Sequence, residues 1–215
     1  MNIEFIKRLI SSTILIPLSF LIVIKGSFFF SIFLFVIFSL SFYEWHKLSV
    51  NKNYYFPGII FLFLSFMSVY FIRNYNEFGV IIFFFIISIS ILTDIGGYIF
   101  GKIFKGPKLT KISPNKTYAG MVGGYIFSLF FIFAVPFIND HFTVNNFWIS
   151  LNKNLIVPIL IFSSISQIGD LLISYCKRLA FVKDTGSIIP GHGGILDRID
   201  GMLFTFPSML IFYYI

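Results

Sequence analysis

Residues 78–100 read FGVIIFFFIISISILTDIGGYIF, an apolar run with one charged side chain, Asp94. As a helix, such a run is long enough to cross about 30 Å of hydrocarbon. Similar runs occupy residues 9–24, 27–43, 55–72, 119–138, 154–176 and 199–215. The 215 residues are 57% hydrophobic and only 12% charged, with a mean hydropathy of +0.91. We therefore predict an all-α, polytopic integral membrane helical bundle with about seven transmembrane helices.

The whole chain, residues 1–215, is expected to form a single membrane domain. Its N-terminal spans lie in residues 1–90, and residues 91–205 form a catalytic half with two polar loops, 101–118 and 177–198. The basic-then-apolar N-terminus has no small-residue cleavage site after it, so it is predicted to remain as the first span. The first two apolar runs could also form a shallow hairpin that turns at Lys25 and Gly26.

The basic residues are distributed unevenly between the two sides of the predicted bundle. When the 16 Lys and Arg are assigned to alternating sides, 13 fall on the side of the two polar loops. Cytoplasmic loops carry such an excess, so the N-terminus and both loops are predicted to be cytoplasmic, in a multi-pass protein of the cell membrane. Attraction to anionic lipid headgroups also explains part of this charge. A nucleic-acid partner is disfavoured, because no soluble domain carries a basic stripe.

The acidic residues carry the main functional signal. Five of the nine collect at the same predicted membrane face; these are Asp94, Asp170, Asp184, Asp197 and Asp200. Carboxylates near hydrocarbon are energetically costly and are usually retained for function. Asp197 and Asp200 are three residues apart at the start of a helix and share one face, and Asp170 could supply a third ligand. Hard oxygen ligands favour Mg²⁺. A helix cap with an ion pair is the alternative for Asp197, Arg198 and Asp200.

Basic and glycine residues near these acids are suited to bind a polyphosphate. Lys and Arg side chains hold phosphate oxygens that a bound metal also neutralises. Gly193 and Gly194 would let backbone amides approach a phosphate. The alternative is that His192 makes a hydrogen bond within the loop, as a lone His more often does, and that the glycines only form turns. Lys116 and Thr117 precede a predicted helix, where an anionic headgroup or phosphate would bind favourably.

Several segments of this sequence, in order, resemble the phosphatidate cytidylyltransferases, also called CDP-diacylglycerol synthases. The resemblance covers roughly residues 90–205. It begins with DIGGYIFGK at 94–102, SPNKT at 113–117 and QIGDL around Asp170. The most specific part is a pattern with fixed spacing, made of Ser174, Lys177, Arg178, Lys183, Asp184, His192, Gly193, Gly194, Asp197, Arg198 and Asp200.

The resemblance implies that the phosphate of phosphatidic acid attacks the α-phosphorus of CTP, which gives CDP-diacylglycerol and pyrophosphate and requires Mg²⁺. It implies metal ligation by Asp170, Asp197 and Asp200. The same three belong to its catalytic set, together with Lys177, Arg178, Lys183, Asp184 and Arg198. Its substrate-binding residues would be Asp94, Ser113, Lys116, Thr117, Ser174, His192, Gly193 and Gly194. A second, monovalent cation and a homodimer remain open.

Two other classes of protein use intramembrane acids. In a transporter or channel, Asp94 and Asp170 would bind a coupling ion, but these acids lie beside lysine-rich loops and the sequence shows no inverted repeat. A CDP-alcohol phosphotransferase also uses clustered aspartates, yet the DGxxAR run of that class is absent. Release of pyrophosphate from CTP would distinguish the cytidylyltransferase from both.

Overall fold

The structure is a computed structural model that describes residues 3–75, 78–110, 113–136, 138, 155–188 and 193–214. Within this part the chain forms seven α-helices and one short 3₁₀ helix, Phe130–Ala134. The α-helices are α1 (Ile3–Lys25), α2 (Ser27–Ser49), α3 (Tyr55–Asn74), α4 (Gly79–Phe104), α5 (Tyr118–Leu129), α6 (Ile156–Leu179) and α7 (Leu196–Tyr214). The prediction of an all-α bundle with about seven helices is confirmed.

Within the part of the chain that the structure describes, four helices are long and apolar enough to cross a membrane. They are Phe28–Ser49, Tyr55–Asn74, Gly79–Phe104 and Ile156–Leu179. Large apolar side chains cover the outside of the bundle, including Phe28, Phe56 and Phe133, each at least 70% exposed. A surface of this kind is unfavourable in water and favourable in lipid. The chain is therefore a polytopic membrane protein.

The first two helices meet in a tight turn at Gly26, the position where the sequence analysis allows a hairpin as an alternative. Gly26 lies between α1 and α2 with a φ of +64°, a conformation that favours glycine. From α3, the Arg73 guanidinium donates to the carbonyl oxygens of Val23, at 2.9 and 3.0 Å, and Ile24, at 3.1 Å. These contacts satisfy carbonyls that the end of α1 would otherwise leave without partners.

The polar segments are more helical than the sequence predicts. Helix α6 continues to Leu179 and α7 begins at Leu196, so Lys177, Arg178 and Asp197 are on helices and not in a loop at 177–198. Basic side chains are favourable in the last turn of a helix and acidic ones in the first turn, which explains both extensions. In contrast, the predicted helix at 119–138 is interrupted, because 3₁₀ geometry replaces the α-helix at Phe130.

Glycines allow α4 and α5 to pack very closely. A Cβ atom at Gly120 would lie 2.7 Å from the carbonyl oxygen of Gly97, and one at Gly123 would lie 2.7 Å from that of Gly96. Small residues permit this approach of two backbones in a membrane, where helices associate through packing. The contact places the N-terminus of α5 against the end of α4. Helix α6 in turn packs along α7, and the polar ends of these helices form one region.

Candidate active site

Asp170 lies at the centre of the polar region. Its carboxylate forms an ion pair with Lys116, which comes from the segment before α5. The hydroxyl of Ser174, one turn further along α6, donates to Asp170 Oδ1 over 3.3 Å. Both charged side chains remain partly accessible, at 25% and 28% exposure. Asp170 therefore links α6 to the lysine-bearing segment and is open to a ligand.

Two further aspartates lie within electrostatic reach of Asp170. Asp94, an exposed residue of α4, interacts with the charges of Asp170 and Lys116. Asp200, on α7, interacts with those of Asp170, Asp94 and Lys177. One oxygen of Asp200 also accepts the backbone N–H of Gly201 at 2.9 Å. Carboxylates from three helices thus interact in one region, and they are three of the five acids that the sequence analysis assigns to one membrane face.

Asp197 and Lys177 form a second, more buried pair. Lys177 Nζ donates to Asp197 Oδ1 at 2.7 Å, and each side chain is only 10% exposed. Asp197 Oδ2 also lies 2.8 Å from the N–H of Thr185, 3.1 Å from its hydroxyl and 3.3 Å from the N–H of Gly194. Asp197 belongs to the polar first turn of α7. Burial alone would raise its pKa, but the hydrogen bonds from Lys177 and Thr185 outweigh burial and lower the pKa below its usual range.

A residue that the sequence analysis did not identify, Glu44 on α2, contacts the same segment. Glu44 is 1% exposed. One of its oxygens accepts the N–H of Ile195 at 2.9 Å; the other accepts the N–H of Leu196 at 2.9 Å and the Thr185 hydroxyl at 2.8 Å. The sequence does contain one indication of a role for Glu44, because it is a lone acid at the end of an apolar run, where acids are usually functional.

The two glycines before α7 have separate structural roles. Gly193 has a φ of +89°, which other residues rarely adopt. A Cβ atom at Gly194 would lie 2.7 Å from Glu44 Oε2 and would also clash with the Thr185 hydroxyl. In this structure Gly194 is therefore required by the close approach of the loop to Glu44. A phosphate-binding role for the pair stays a prediction.

The remaining predicted residues lie at the edge of the site or hold its backbone. Lys183, Asp184 and Arg198 are exposed, and exposed Arg178 donates to the carbonyl oxygen of Val182 at 3.0 Å. His192 lies outside the described residues.

Before α5, the Thr117 hydroxyl caps the helix by accepting the N–H of Gly120 at 3.0 Å. The backbone N–H of Ser113 donates to the Thr110 hydroxyl at 3.2 Å. These contacts shape the segment that presents Lys116. The substrate-binding roles of Ser113 and Thr117 stay predictions.

The donor atoms suit a hard divalent cation. Among the described residues, no three His, Cys, Asp or Glu side chains are close enough together to hold a metal ion on their own. Mg²⁺ does not need such a cage, because it usually binds one or two carboxylates together with water and substrate phosphates. Asp170 and Asp200 fit that pattern. Asp197 already accepts hydrogen bonds on both oxygens, so a metal at Asp197 would share that carboxylate with Lys177, Thr185 and Gly194.

The fold and site define a helical membrane protein with a carboxylate and lysine centre suited to a phosphorylated ligand. Comparison with known proteins gives its family. A model described as "Cytidylyltransferase family" matches residues 6–77 and 58–215, so the chain belongs to the cytidylyltransferase family. Of the classes considered above, this match selects the nucleotidyltransferase over the transporter and the CDP-alcohol phosphotransferase.

Several curated proteins that are similar to this chain are named phosphatidate cytidylyltransferase. The protein of Rickettsia felis is 33% identical over 210 residues, which cover 94% of this chain and 89% of that protein. Those of Staphylococcus aureus (strain COL) and Staphylococcus saprophyticus are 46% and 48% identical over 121 residues. Each staphylococcal match covers 56% of this chain and 44% of the relative, so the chain aligns with less than half of those longer proteins.

Proposed function

We propose that this protein is a Mg²⁺-dependent phosphatidate cytidylyltransferase, which transfers CMP from CTP to phosphatidic acid and releases pyrophosphate. The observation that carries the proposal is the convergence of Asp94, Asp170 and Asp200 beside Lys116 and Lys177 in a member of this family. Carboxylates can hold a cation, and lysines can bind phosphate oxygens. A triphosphate needs both.

The reaction that we propose is an in-line displacement at phosphorus. An oxygen of the phosphatidic acid phosphate forms a bond to the α-phosphorus of CTP, and the bond from that phosphorus to the bridging β-phosphate oxygen breaks. Pyrophosphate leaves with the electron pair. A phosphate monoester is already largely dianionic near neutral pH, so its attack needs no general base. We therefore propose no covalent enzyme intermediate.

The side chains of the site divide between cation binding and phosphate binding. Asp170 and Asp200 would hold Mg²⁺, and ligation by Asp197 stays a prediction. When bound, the ion would neutralise charge that develops on the phosphate oxygens. Lys116 and Lys177 would orient the phosphates of the two substrates, with Arg178 and Arg198 at the exposed edge. Positioning and electrostatics supply most of the catalysis in phosphoryl transfer.

The site is proposed to face the cytoplasm from the cell membrane. Most of the basic residues lie on the side of the two polar segments that carry Lys116 and Lys177, and positive charge is retained on the cytoplasmic side. CTP would approach from that side while phosphatidic acid enters from the bilayer. Cysteines introduced at Lys108 and at Lys183, in a Cys176→Ser background, should react with an impermeant maleimide only in inverted membrane vesicles.

The test of the proposed function uses the purified full-length chain in detergent with CTP, phosphatidic acid and Mg²⁺. Pyrophosphate should be released only when all three are present. Asp200→Asn should reduce release by about a hundredfold or more, because it removes a carboxylate that would hold the cation to which the reacting phosphates bind. Asp140→Asn, an acid outside the motif segments, is the matched control and should retain wild-type activity. No pyrophosphate from the folded wild-type protein would refute the proposal.

A further inference from the structure

We propose that Glu44 is a positioning residue of the active site, which acts through Thr185 to hold Asp197 and Lys177 in place. This inference rests on the proposed function and adds one assignment to it, that Lys177 binds the triphosphate of CTP and Lys116 the phosphate of phosphatidic acid. Glu44 comes from α2, far in sequence from the motif segments of the family. Its contacts with Thr185, Ile195 and Leu196 nevertheless bring it within one hydroxyl group of the most buried charged pair of the site.

The first step is the capping of α7 by a side chain from another helix. The first backbone N–H groups of a helix have no partner within that helix. At the start of α7, the N–H groups of Ile195 and Leu196 both donate to Glu44, each at 2.9 Å. Ile195 is 5% exposed and Leu196 is fully buried, so water cannot replace the carboxylate there. Glu44 thereby determines where α7 begins, one residue before Asp197.

The second step is the Thr185 hydroxyl, which lies between two carboxylates. It is 2.8 Å from Glu44 Oε2 and 3.1 Å from Asp197 Oδ2. The Thr185 N–H also donates to Asp197 Oδ2, at 2.8 Å. A hydroxyl has a single proton to donate. Thr185 therefore joins the positions of the two acids, and a change at Glu44 alters the hydrogen bonding of Asp197.

The third step is Lys177, whose amine is held by Asp197 at 2.7 Å. Lys177 is 8% exposed and also interacts electrostatically with Asp200. If Asp197 were displaced, the ammonium group of Lys177, which we expect to bind the triphosphate, would move with it. The contacts thus run from Glu44 through Thr185 and Asp197 to Lys177. They connect α2 to the residue that we assign to CTP, and none of these hydrogen bonds involves Lys116 or Asp170.

Two kinetic parameters separate positioning from simple stabilisation. A residue that only stabilises the fold would reduce the amount of folded protein without altering the KM of the molecules that fold. Loss of positioning should instead raise the KM for CTP and the Mg²⁺ concentration for half-maximal rate, while the KM for phosphatidic acid changes less than twofold. The expected loss in kcat/KM for CTP is about tenfold to a hundredfold.

The variants are Glu44→Gln, Thr185→Val and Thr185→Ser in the full chain. In Glu44→Gln, an amide N–H₂ group replaces one acceptor oxygen and faces backbone N–H groups. In Thr185→Val, a side chain of similar volume lacks the hydroxyl that Glu44 and Asp197 share. Both should reduce kcat/KM for CTP, and Ser should recover most of the loss caused by Val. The Glu44→Gln, Thr185→Val double variant should lose little more than either single one, because the contacts act in series.

Ser65→Ala is the matched control. Ser65 is buried, and its hydroxyl donates to the carbonyl oxygen of Leu203 on α7 at 2.8 Å. It is not one of the residues whose hydrogen bonds link Glu44 to Lys177. Its loss should lower thermal stability and leave the KM for CTP unchanged. If Glu44→Gln does not fold, the comparison between Thr185→Val and Thr185→Ser decides the question.

Hydrogen exchange provides a readout that needs no activity. Glu44→Gln should accelerate exchange of the Ile195 and Leu196 amides relative to amides in the middle of α7. Wild-type protein that releases no pyrophosphate would refute the proposed function, and this exchange would still test the contacts of Glu44. Active wild type together with wild-type CTP kinetics in Glu44→Gln and Thr185→Val would overturn the positioning role.

Discussion

Lys177 and Asp197 form a buried ion pair, so the effect of Lys177→Met on the free energy of unfolding should change sign when Asp197 is also replaced. Each side chain is 10% exposed, and their charged atoms are 2.7 Å apart. Removal of one partner leaves the other as an unpaired buried charge, which typically destabilises a protein by about 3–5 kcal/mol. Lys177→Met should therefore destabilise the wild-type chain by a few kcal/mol. In an Asp197→Leu background the same change removes an unpaired cation and should be stabilising.

The magnitude of the reversal follows from the other contacts of the pair. Asp197 also accepts the N–H groups of Thr185 and Gly194, so Asp197→Leu leaves those groups without an acceptor in both backgrounds. Asp200 still interacts with Lys177 and limits the gain. Because the effect of Lys177→Met changes sign between the two backgrounds, the interaction free energy between the two substitutions should be at least about 3 kcal/mol.

The assay is the free energy of unfolding of the four proteins in mixed lipid and detergent micelles, with CTP turnover measured on the same samples. Stability should partly recover in the double variant, and activity should not, because both charges serve the site. An equal destabilisation by Lys177→Met in the two backgrounds would refute the reasoning. The same result would show that the pair is not a coupled buried ion pair.

Three further predictions concern the metal, the loop and pH. Chelation of divalent cations should abolish activity. Asp200→Asn should raise the Mg²⁺ concentration that gives the half-maximal rate, and an unchanged Mg²⁺ dependence would contradict the role of Asp200 as a metal ligand. Gly194→Ala should destabilise the protein by about 1–3 kcal/mol through overpacking against Glu44. Gly97→Ala is the control and should be tolerated, because a Cβ atom there would lie 3.6 Å from its nearest neighbour. Equal unfolding temperatures of the two variants would contradict the predicted difference. The lowered pKa of Asp197 stabilises the fold at neutral pH, and this contribution should disappear as the pH falls below the usual carboxylate range. Asp197→Asn should weaken that acid dependence in thermal unfolding curves, and identical curves would argue against it.

The sequence predicts the helices well because hydrocarbon thickness restricts their length. A run such as residues 78–100 has to be a helix to satisfy its backbone hydrogen bonds within lipid. Helix ends are harder to predict, since no comparable restriction applies at the polar face. Lys177 and Arg178 read as loop residues beside an apolar run, yet they continue α6. The interruption of the fifth helix at Phe130 had no sequence signal, because the residues there are uniformly apolar.

The convergence of acids was predictable from the same physics. Asp94 and Asp170 are acids within apolar runs, and acids in such positions usually have a partner. The structure places both near Lys116 and Asp200. Glu44 could not be assigned in this way, because its partners lie 141 to 152 residues further along the chain. Contacts at such separation arise from helix packing, and a single sequence contains no local pattern for them.

The most direct measurement follows the phosphorus atoms of CTP. Purified protein in vesicles that contain phosphatidic acid would receive CTP labelled either at the α- or at the γ-phosphorus, with Mg²⁺. We predict that the α-label enters the lipid fraction as CDP-diacylglycerol while the γ-label remains in water as pyrophosphate. Absence of α-label from the lipid, or transfer of the γ-label to it, would contradict cytidylyl transfer as the function of this protein.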